Sequence, residues 1–233
     1  VFCDTRVHAF DAAAYRSQAN YIFEFDANGK PRLTIQHMKA SDGTSIARAG
    51  IDLTAVDPVP TTAPGAMVLR RINGVDFLGC DNQSPNNQYS DALACLRNAT
   101  PANGWRLNGI TKFPPGIALF IGPVTIDGVA GSQGALYNTI LATGDVTLTG
   151  SGHGPLIALN FASPVEKLCG GDFYPSNLCK SSTELQTWDD PSDTTKKITG
   201  LPLANIAIGT NASLAGNSWK DNDGIQGHVI VGK

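Results

Sequence analysis

The stretch Gly122-Pro-Val-Thr-Ile-Asp-Gly128 decides how this chain is interpreted, because close variants of it return three times in the second half. The later copies begin at Gly144, Ala204 and Gly227. Every copy has two aliphatic residues two positions apart, and these residues are Val124, Ile126, Val146, Leu148, Ile206, Ile208, Val229 and Val231. Because side chains of a strand alternate between two faces, we predict that all eight line one interior.

The spacing of the copies predicts a coil of stacked strands. The interval from Val124 to Val146 is nearly the same as the interval from Ile206 to Val229. The longer interval between the second and third copies fits one repeat plus an insertion. We therefore predict a β-solenoid-like domain over 113–233, interrupted by an insertion at 164–200.

Composition favours a mainly β protein and argues against two functional classes. The 233 residues include 25 glycines and 14 prolines but only 16% charged residues, which suits a chain of short strands and many turns. A net charge of −3 does not favour non-specific binding to nucleic acid. No apolar run reaches the ~20 residues of a membrane span. Because the chain stops inside a repeat, we interpret it as a fragment and expect membrane contact only through a segment absent from it.

The first half has the signals of β-hairpins. Alternating apolar and polar residues flank both Asn28-Gly29 and Asn73-Gly74, and such pairs favour type I′ turns in which both residues have positive φ. Ser90 and the residues up to Arg97 predict one short helix with Ser90 as its N-cap. We therefore predict an N-terminal domain over 1–112, a meander of hairpins with one short helix.

The cysteines form two close pairs and a singleton. Cys169 and Cys179 bracket one turn-rich loop, and Cys80 and Cys95 bracket another. Neither pair has the spacing of a zinc site, so we predict two disulfides and leave the partner of Cys3 open. Disulfides indicate an oxidising compartment, either outside the cell, in the periplasm or at the cell surface.

Candidate catalytic and metal-binding residues have simpler structural interpretations. In the predicted stack neither Asp127 nor Asp145 shares a column with a second carboxylate, as an acid-base pair on neighbouring repeats would require. His153 lies among glycines and fits a corner. The Asp221-Asn-Asp-Gly224 sequence lacks the spacing and terminal Glu of an EF-hand and fits a tight turn. We assign no catalytic residue, no metal ligand and no cofactor.

The insertion is the predicted binding element. It combines aromatic groups that can stack on a sugar ring with acids that can accept its hydroxyl groups, namely Phe173, Tyr174, Trp188, Asp189 and Asp190. The alternative is that the insertion only covers the side of the solenoid and buries its aromatic side chains against the repeats.

Part of the chain resembles a known family. Residues 137–152, the segment Ala158-Leu-Asn-Phe-Ala162 and the Cys169–Cys179 loop are similar to segments of PilX-type minor pilins and related type IV pilus assembly proteins. The resemblance covers about residues 120–232 and implies a non-enzymatic part in pilus assembly, adhesion or aggregation. It also implies a place on the bacterial surface, with other pilus subunits or surface glycans as partners. The prepilin cleavage site and hydrophobic helix of the family are not among these residues.

Two other classes remain open on the sequence. One is a carbohydrate-active β-helix enzyme, against which the columns without paired acids argue. The other is a carbohydrate-binding adhesin or a phage receptor-binding part, which the aromatic residues of the insertion favour.

Overall fold

The fold is mainly β, which confirms the predicted class. The computed structural model describes residues 10–54, 69–72, 75–80, 96, 99–108, 111–112, 114–128, 136–150, 155–190, 192–216 and 224–232. The strands before residue 113 are β1 (Tyr21–Phe25), β2 (Pro31–Ala40), β3 (Ser45–Asp52), β4 (Leu69–Ile72), β5 (Val75–Cys80), β6 (Trp105–Asn108) and β7 (Thr111–Lys112). The strands that follow are β8 (Gly116–Phe120), β9 (Val124–Gly128), β10 (Leu136–Ala142), β11 (Val146–Gly150), β12 (Leu156–Ile157), β13 (Phe173–Pro175), β14 (Thr187–Asp190), β15 (Asp193–Thr199), β16 (Ile206–Thr210), β17 (Leu214–Gly216), β18 (Ile225–Gln226) and β19 (His228–Val231).

The helical segments that the structure describes are short. They are 3-10 helices at Ala12–Tyr15, Leu159–Phe161 and Pro202–Asn205, and an α-helix, α1, at Glu166–Cys169. Within the described part of the chain, no helix is long and apolar enough to cross a membrane.

Parallel pairing organises the strands into two stacks. The first stack has the order β1, β8, β10, β16 and β19, and the second has the order β6, β9, β11 and β17. A strand of the first stack leads through a short corner into a strand of the second, as in β8 to β9, β10 to β11 and β16 to β17. We call such a pair of strands a rung.

The first two copies of the repeated pattern pair in the predicted register. Val146 lies opposite Val124, and Leu148 lies opposite Ile126, in the second stack. Val124, Val146 and Leu148 are buried, and Ile126 is half-buried against the same core. Period-two alternation and the interval between these copies were therefore sufficient to place the two strands.

The prediction that all four copies share one interior is wrong. The third copy belongs to β16 of the first stack, where Ile208 lies opposite Ile140. The fourth copy is β19, where Val229 and Val231 are 42% and 39% exposed. Leu214 of β17 occupies the next position of the second stack. Both strands of a rung need aliphatic residues, so the pattern cannot distinguish a first strand from a second strand.

Two rungs are interrupted by long excursions of the chain. β1 and β6 pair with β8 and β9 of the next rung, although residues 26–104, which we call the first excursion, separate them. β12 and β16 both pair with β10, although residues 158–205 separate β12 from β16 in the sequence. We call residues 158–205 the second excursion, and it is wider than the insertion predicted at 164–200. Strands from both sides of residue 112 share each stack, so the predicted domain boundary does not separate two sheets.

Both predicted hairpins are present. β1 and β2 are antiparallel, and so are β4 and β5. The turn after β1 is not type I′, because only Gly29 has a positive φ, at 74°. The Asp26 carboxylate accepts hydrogen bonds from the backbone N–H groups of Asn28 and Lys30, which favours a type I turn followed by a left-handed glycine.

Several predictions fall on residues outside those that the structure describes. These are the helix predicted from Ser90 to Arg97, of which only Leu96 is described, as a buried helical residue, and the Cys80–Cys95 disulfide, Cys3, His153 and the acidic turn before Gly224. They remain predictions.

The first stack has a hydrophobic core on each face. The core between the two stacks contains an aromatic group in which Phe23 stacks on Phe120 at 4.6 Å and Phe25 stacks on Trp105 at 4.6 Å between ring centroids. The core on the opposite face joins the first stack to residues 10–20 and to the second excursion. The second excursion is therefore a packed layer of the fold.

Candidate functional site

The disulfide predicted within the insertion is present and fixes the base of the second excursion. Cys169 and Cys179 are bonded, with their Cα atoms 5.7 Å apart. Leu168 and Leu178 beside them are buried in the core that covers the first stack. The bond therefore closes the loop at its most buried point, and it fits a protein of an oxidising compartment.

The second excursion is also anchored to the first excursion by β13. Phe173 lies opposite Ala40 of β2 and is only 3% exposed, so it is a core residue and not a surface contact for a ligand. Tyr174 is half-buried on the opposite side of β13. The side chain of Asn177 accepts a hydrogen bond from Asn20 at 3.0 Å.

A hairpin of β14 and β15 forms a sheet of its own within this excursion. Its residues are mostly exposed, and Trp188, which lies opposite Ile198, is 47% exposed. The hairpin begins and ends at one point, where the backbone N–H of Gly200 donates to the carbonyl of Gln186 at 2.8 Å. Trp188 thus belongs to a different sheet from Phe173 and Tyr174, and the structure does not unite the predicted aromatic residues.

The acids predicted as ligand contacts have partners within the hairpin. Asp189 forms an ion pair with Lys197 on the facing strand. The Asp190 carboxylate accepts hydrogen bonds from the backbone N–H and the hydroxyl of Ser192, at 2.8 and 2.6 Å. These bonds hold the pKa of Asp190 below its usual value. The two acids therefore shape the hairpin and its turn.

The other candidate residues have structural roles where they are described. The Asp145 carboxylate accepts a hydrogen bond from the backbone N–H of Ser213 at 3.0 Å, which joins the corners of two neighbouring rungs. His37 of β2, a histidine for which no site was predicted, also serves the fold: its backbone is left-handed, with φ of 53°, and its Nε2 lies 2.9 Å from the carbonyl oxygen of Ser17. Among the residues that the structure describes, no three His, Cys, Asp or Glu side chains are grouped as metal ligands would be.

A groove lies on the outer face of β1, β2 and β3, where the sequence predicted no site. The groove has a volume of about 860 Å³, and Glu24, Arg32, Thr34 and Gln36 are among its lining residues. These residues alternate along the strands with buried ones such as Leu33, so the same two-residue period that marks the buried face also marks the polar face that lines the groove.

Comparison with known proteins identifies no family for this chain. No protein-family model, no curated protein and no solved structure matches it. The resemblance of residues 120–232 to minor pilins therefore rests on the sequence motifs alone.

Proposed function

We propose that this chain is a non-enzymatic surface module of the minor-pilin kind, acting in pilus assembly, adhesion or aggregation, and that the β14–β15 hairpin makes its contact with a partner. The observation that carries the proposal is the 47% exposure of Trp188 on a hairpin that contributes little to either core. Large aromatic side chains are over-represented among the residues that dominate binding energy.

The hairpin is suited to binding because it is ordered before a partner arrives. Its base is closed by the hydrogen bond between Gly200 and Gln186, and the nearby Cys169–Cys179 disulfide holds the loop that precedes it. The ion pair between Asp189 and Lys197 connects its two strands. Pre-ordering lowers the conformational entropy that a loop loses on binding.

The partner class follows from the chemistry of the exposed face. Trp188 offers a flat apolar surface, and Ile198, directly opposite it on the facing strand, adds an aliphatic side chain to the same face. An indole ring beside an aliphatic side chain suits the apolar ring face of a surface glycan or an aromatic side chain of another pilus subunit.

Trimming the hairpin tests the proposal without damage to either core. Replacing residues 188–198 by Asn-Gly leaves Thr187 and Thr199 to flank a two-residue turn. Beads coated with the protein are scored for attachment to glycan-coated surfaces and for bead-to-bead aggregation. We expect the trimmed chain and Trp188→Ala to attach less strongly or to aggregate less than the original chain, while their circular dichroism spectra remain those of a folded protein.

Phe161→Ala is the matched control, because Phe161 is a similarly exposed aromatic residue of the same excursion, at 38%, outside the hairpin. We expect this variant to behave like the original chain. Full attachment and aggregation by the trimmed protein, or neither activity in the original protein, would contradict the proposal.

A further inference from the structure

We propose that the groove on the outer face of β1, β2 and β3 is a second binding site, one that takes a neutral oligosaccharide. This inference is independent of the function proposed for the hairpin. The groove is bounded by the strand face on one side and by the residues around the 3-10 helix Ala12–Tyr15 on the other.

The groove is open because small residues line it. Ala14 and Ala49 contribute only methyl groups, and Gly50 has a positive φ of 62° with no atom within 4 Å of the place where a Cβ would lie. Its volume of about 860 Å³ falls within the ~300–1,000 Å³ of ligand pockets. A groove of this volume fits an oligosaccharide better than a single small ion.

Each charged side chain that lines the groove already forms an ion pair within the protein. Arg16 Nη2 donates to both carboxylate oxygens of Glu24, at 2.8 and 2.9 Å. Arg32 lies between two carboxylates, with its Nη2 2.8 Å from Asp26 Oδ2 and its Nη1 2.9 Å from Asp52 Oδ2. Hydrogen bonds from the Arg32 side chain and the Lys30 backbone also hold the pKa of Asp26 below its usual value, so this carboxylate stays ionised to a lower pH than an unpaired aspartate does.

This pairing argues against an anionic ligand. The charged lining residues are two guanidinium cations and two carboxylates, so their formal charge is zero, and the Asp52 carboxylate next to Arg32 adds a negative charge nearby. A phosphate, sulfate or carboxylate would have to displace one of the protein's own acids from Arg16 or Arg32. A neutral ligand needs no such exchange, since the oxygens of paired carboxylates still accept hydrogen bonds from hydroxyl groups.

Two further side chains are held ready for polar contacts. Gln36 Nε2 donates to the carbonyl oxygens of Arg16 and Ala19, both at 2.8 Å, which fixes the amide and leaves its Oε1 as an acceptor. The Thr34 hydroxyl accepts a hydrogen bond from the Gly50 N–H at 3.2 Å and retains its own proton to donate. Sugar hydroxyl groups both donate and accept, so they complement this mixed and fixed set of groups.

An array of neutral, sialylated and sulfated oligosaccharides, with oligolysine as a cationic probe, tests the proposal on the intact chain. We expect binding to neutral oligosaccharides. In the Trp188→Ala background, which removes the contact proposed for the hairpin, Ala49→Trp should fill the groove and abolish that binding, and Thr34→Val should weaken it about tenfold, the equivalent of one or two hydrogen bonds. Ala215→Trp is the control, because Ala215 is an exposed strand alanine of β17 in the other stack.

The possible outcomes separate this site from the hairpin. Loss in Ala49→Trp or Thr34→Val with retention in Ala215→Trp and Trp188→Ala supports the groove. If Ala49→Trp fails to fold, Thr34→Val decides. Absence of neutral-glycan binding, preference for anionic glycans or oligolysine, or unchanged binding in the folded groove variants would overturn the proposal.

Discussion

Replacing Asn20 by alanine should destabilise the fold more than any surface change, because this buried side chain joins three parts of the chain. Its Oδ1 accepts a hydrogen bond from the backbone N–H of Ile117 at 2.8 Å. Its Nδ2 donates to the carbonyl of His37 at 3.1 Å and to Asn177 Oδ1 at 3.0 Å. The residue therefore connects the first excursion, the first stack and the second excursion.

The magnitude follows from what each partner loses. The carbonyl of His37 still accepts a hydrogen bond from the N–H of Ser176 at 2.8 Å, and Asn177 is only half-buried. The N–H of Ile117 is left buried without its side-chain partner, which costs about 1 to 3 kcal/mol. With the small cavity added, we expect Asn20→Ala to lower the free energy of unfolding by about 2 to 4 kcal/mol.

Urea unfolding followed by the fluorescence of buried Trp105 and by circular dichroism measures this loss. At about 2 to 4 °C per kcal/mol, a loss of about 3 kcal/mol also lowers Tm by roughly 6 to 12 °C. Asn177→Ala is the comparison variant, because it removes one partner of the Asn20 Nδ2 and leaves Asn20 bonded to Ile117 and His37; it should cost about 1 kcal/mol, less than Asn20→Ala. An Asn20→Ala protein as stable as the original, or no more affected than the control, would refute this reasoning.

The packing and the charges give three further expectations. Leu148→Ala should cost about 2 to 5 kcal/mol in urea unfolding, whereas Val229→Ala, at an exposed position of β19, should cost less than about 1 kcal/mol; equal losses would contradict the observed register. Replacing Cys169 and Cys179 by alanine should cost roughly 3 kcal/mol and increase cleavage of the second excursion by a protease, and unchanged cleavage would contradict the role given to the disulfide. Hydrogen bonds from Arg32 lower the pKa of Asp26 in the folded state, so the contribution of Asp26 to stability is fully present above its unfolded pKa of about 3.9 and is lost as pH falls through the folded pKa. The difference in the free energy of unfolding between the original chain and Asp26→Asn should therefore be constant from about pH 5 to 7 and shrink below about pH 4.

Local patterns in the sequence were enough for individual strands and turns. The Asn28-Gly29 hairpin, the pairing of Val124 with Val146 and the Cys169–Cys179 disulfide all depend on residues close in sequence. Strand alternation, turn residues and short loops report on such contacts directly.

The order of the stacks could not be predicted, because it depends on contacts across the excursions. Nothing near Trp105 indicates that its strand continues the rung that β1 begins, and the Leu-Ala-Gly of β17 lacks the aliphatic pair that marks the earlier strands. The grouping of the candidate site residues could not be predicted for the same reason. Composition identified Trp188, but only the fold shows that Phe173 is buried and that Glu24 and Arg32 share a groove.

The interrupted rungs also determine the order in which the protein can fold. Strands β8 to β11 follow one another over residues 116–150, so their rungs can pair as soon as that segment exists. β1 forms its local hairpin with β2 early, but its parallel neighbour β8 and the strand β6 that completes its rung are made much later. Closing such long loops is slow, and apolar side chains such as Phe23 stay uncovered meanwhile. We therefore expect the β1–β2 hairpin to be prone to aggregation until the chain has been synthesised as far as β8.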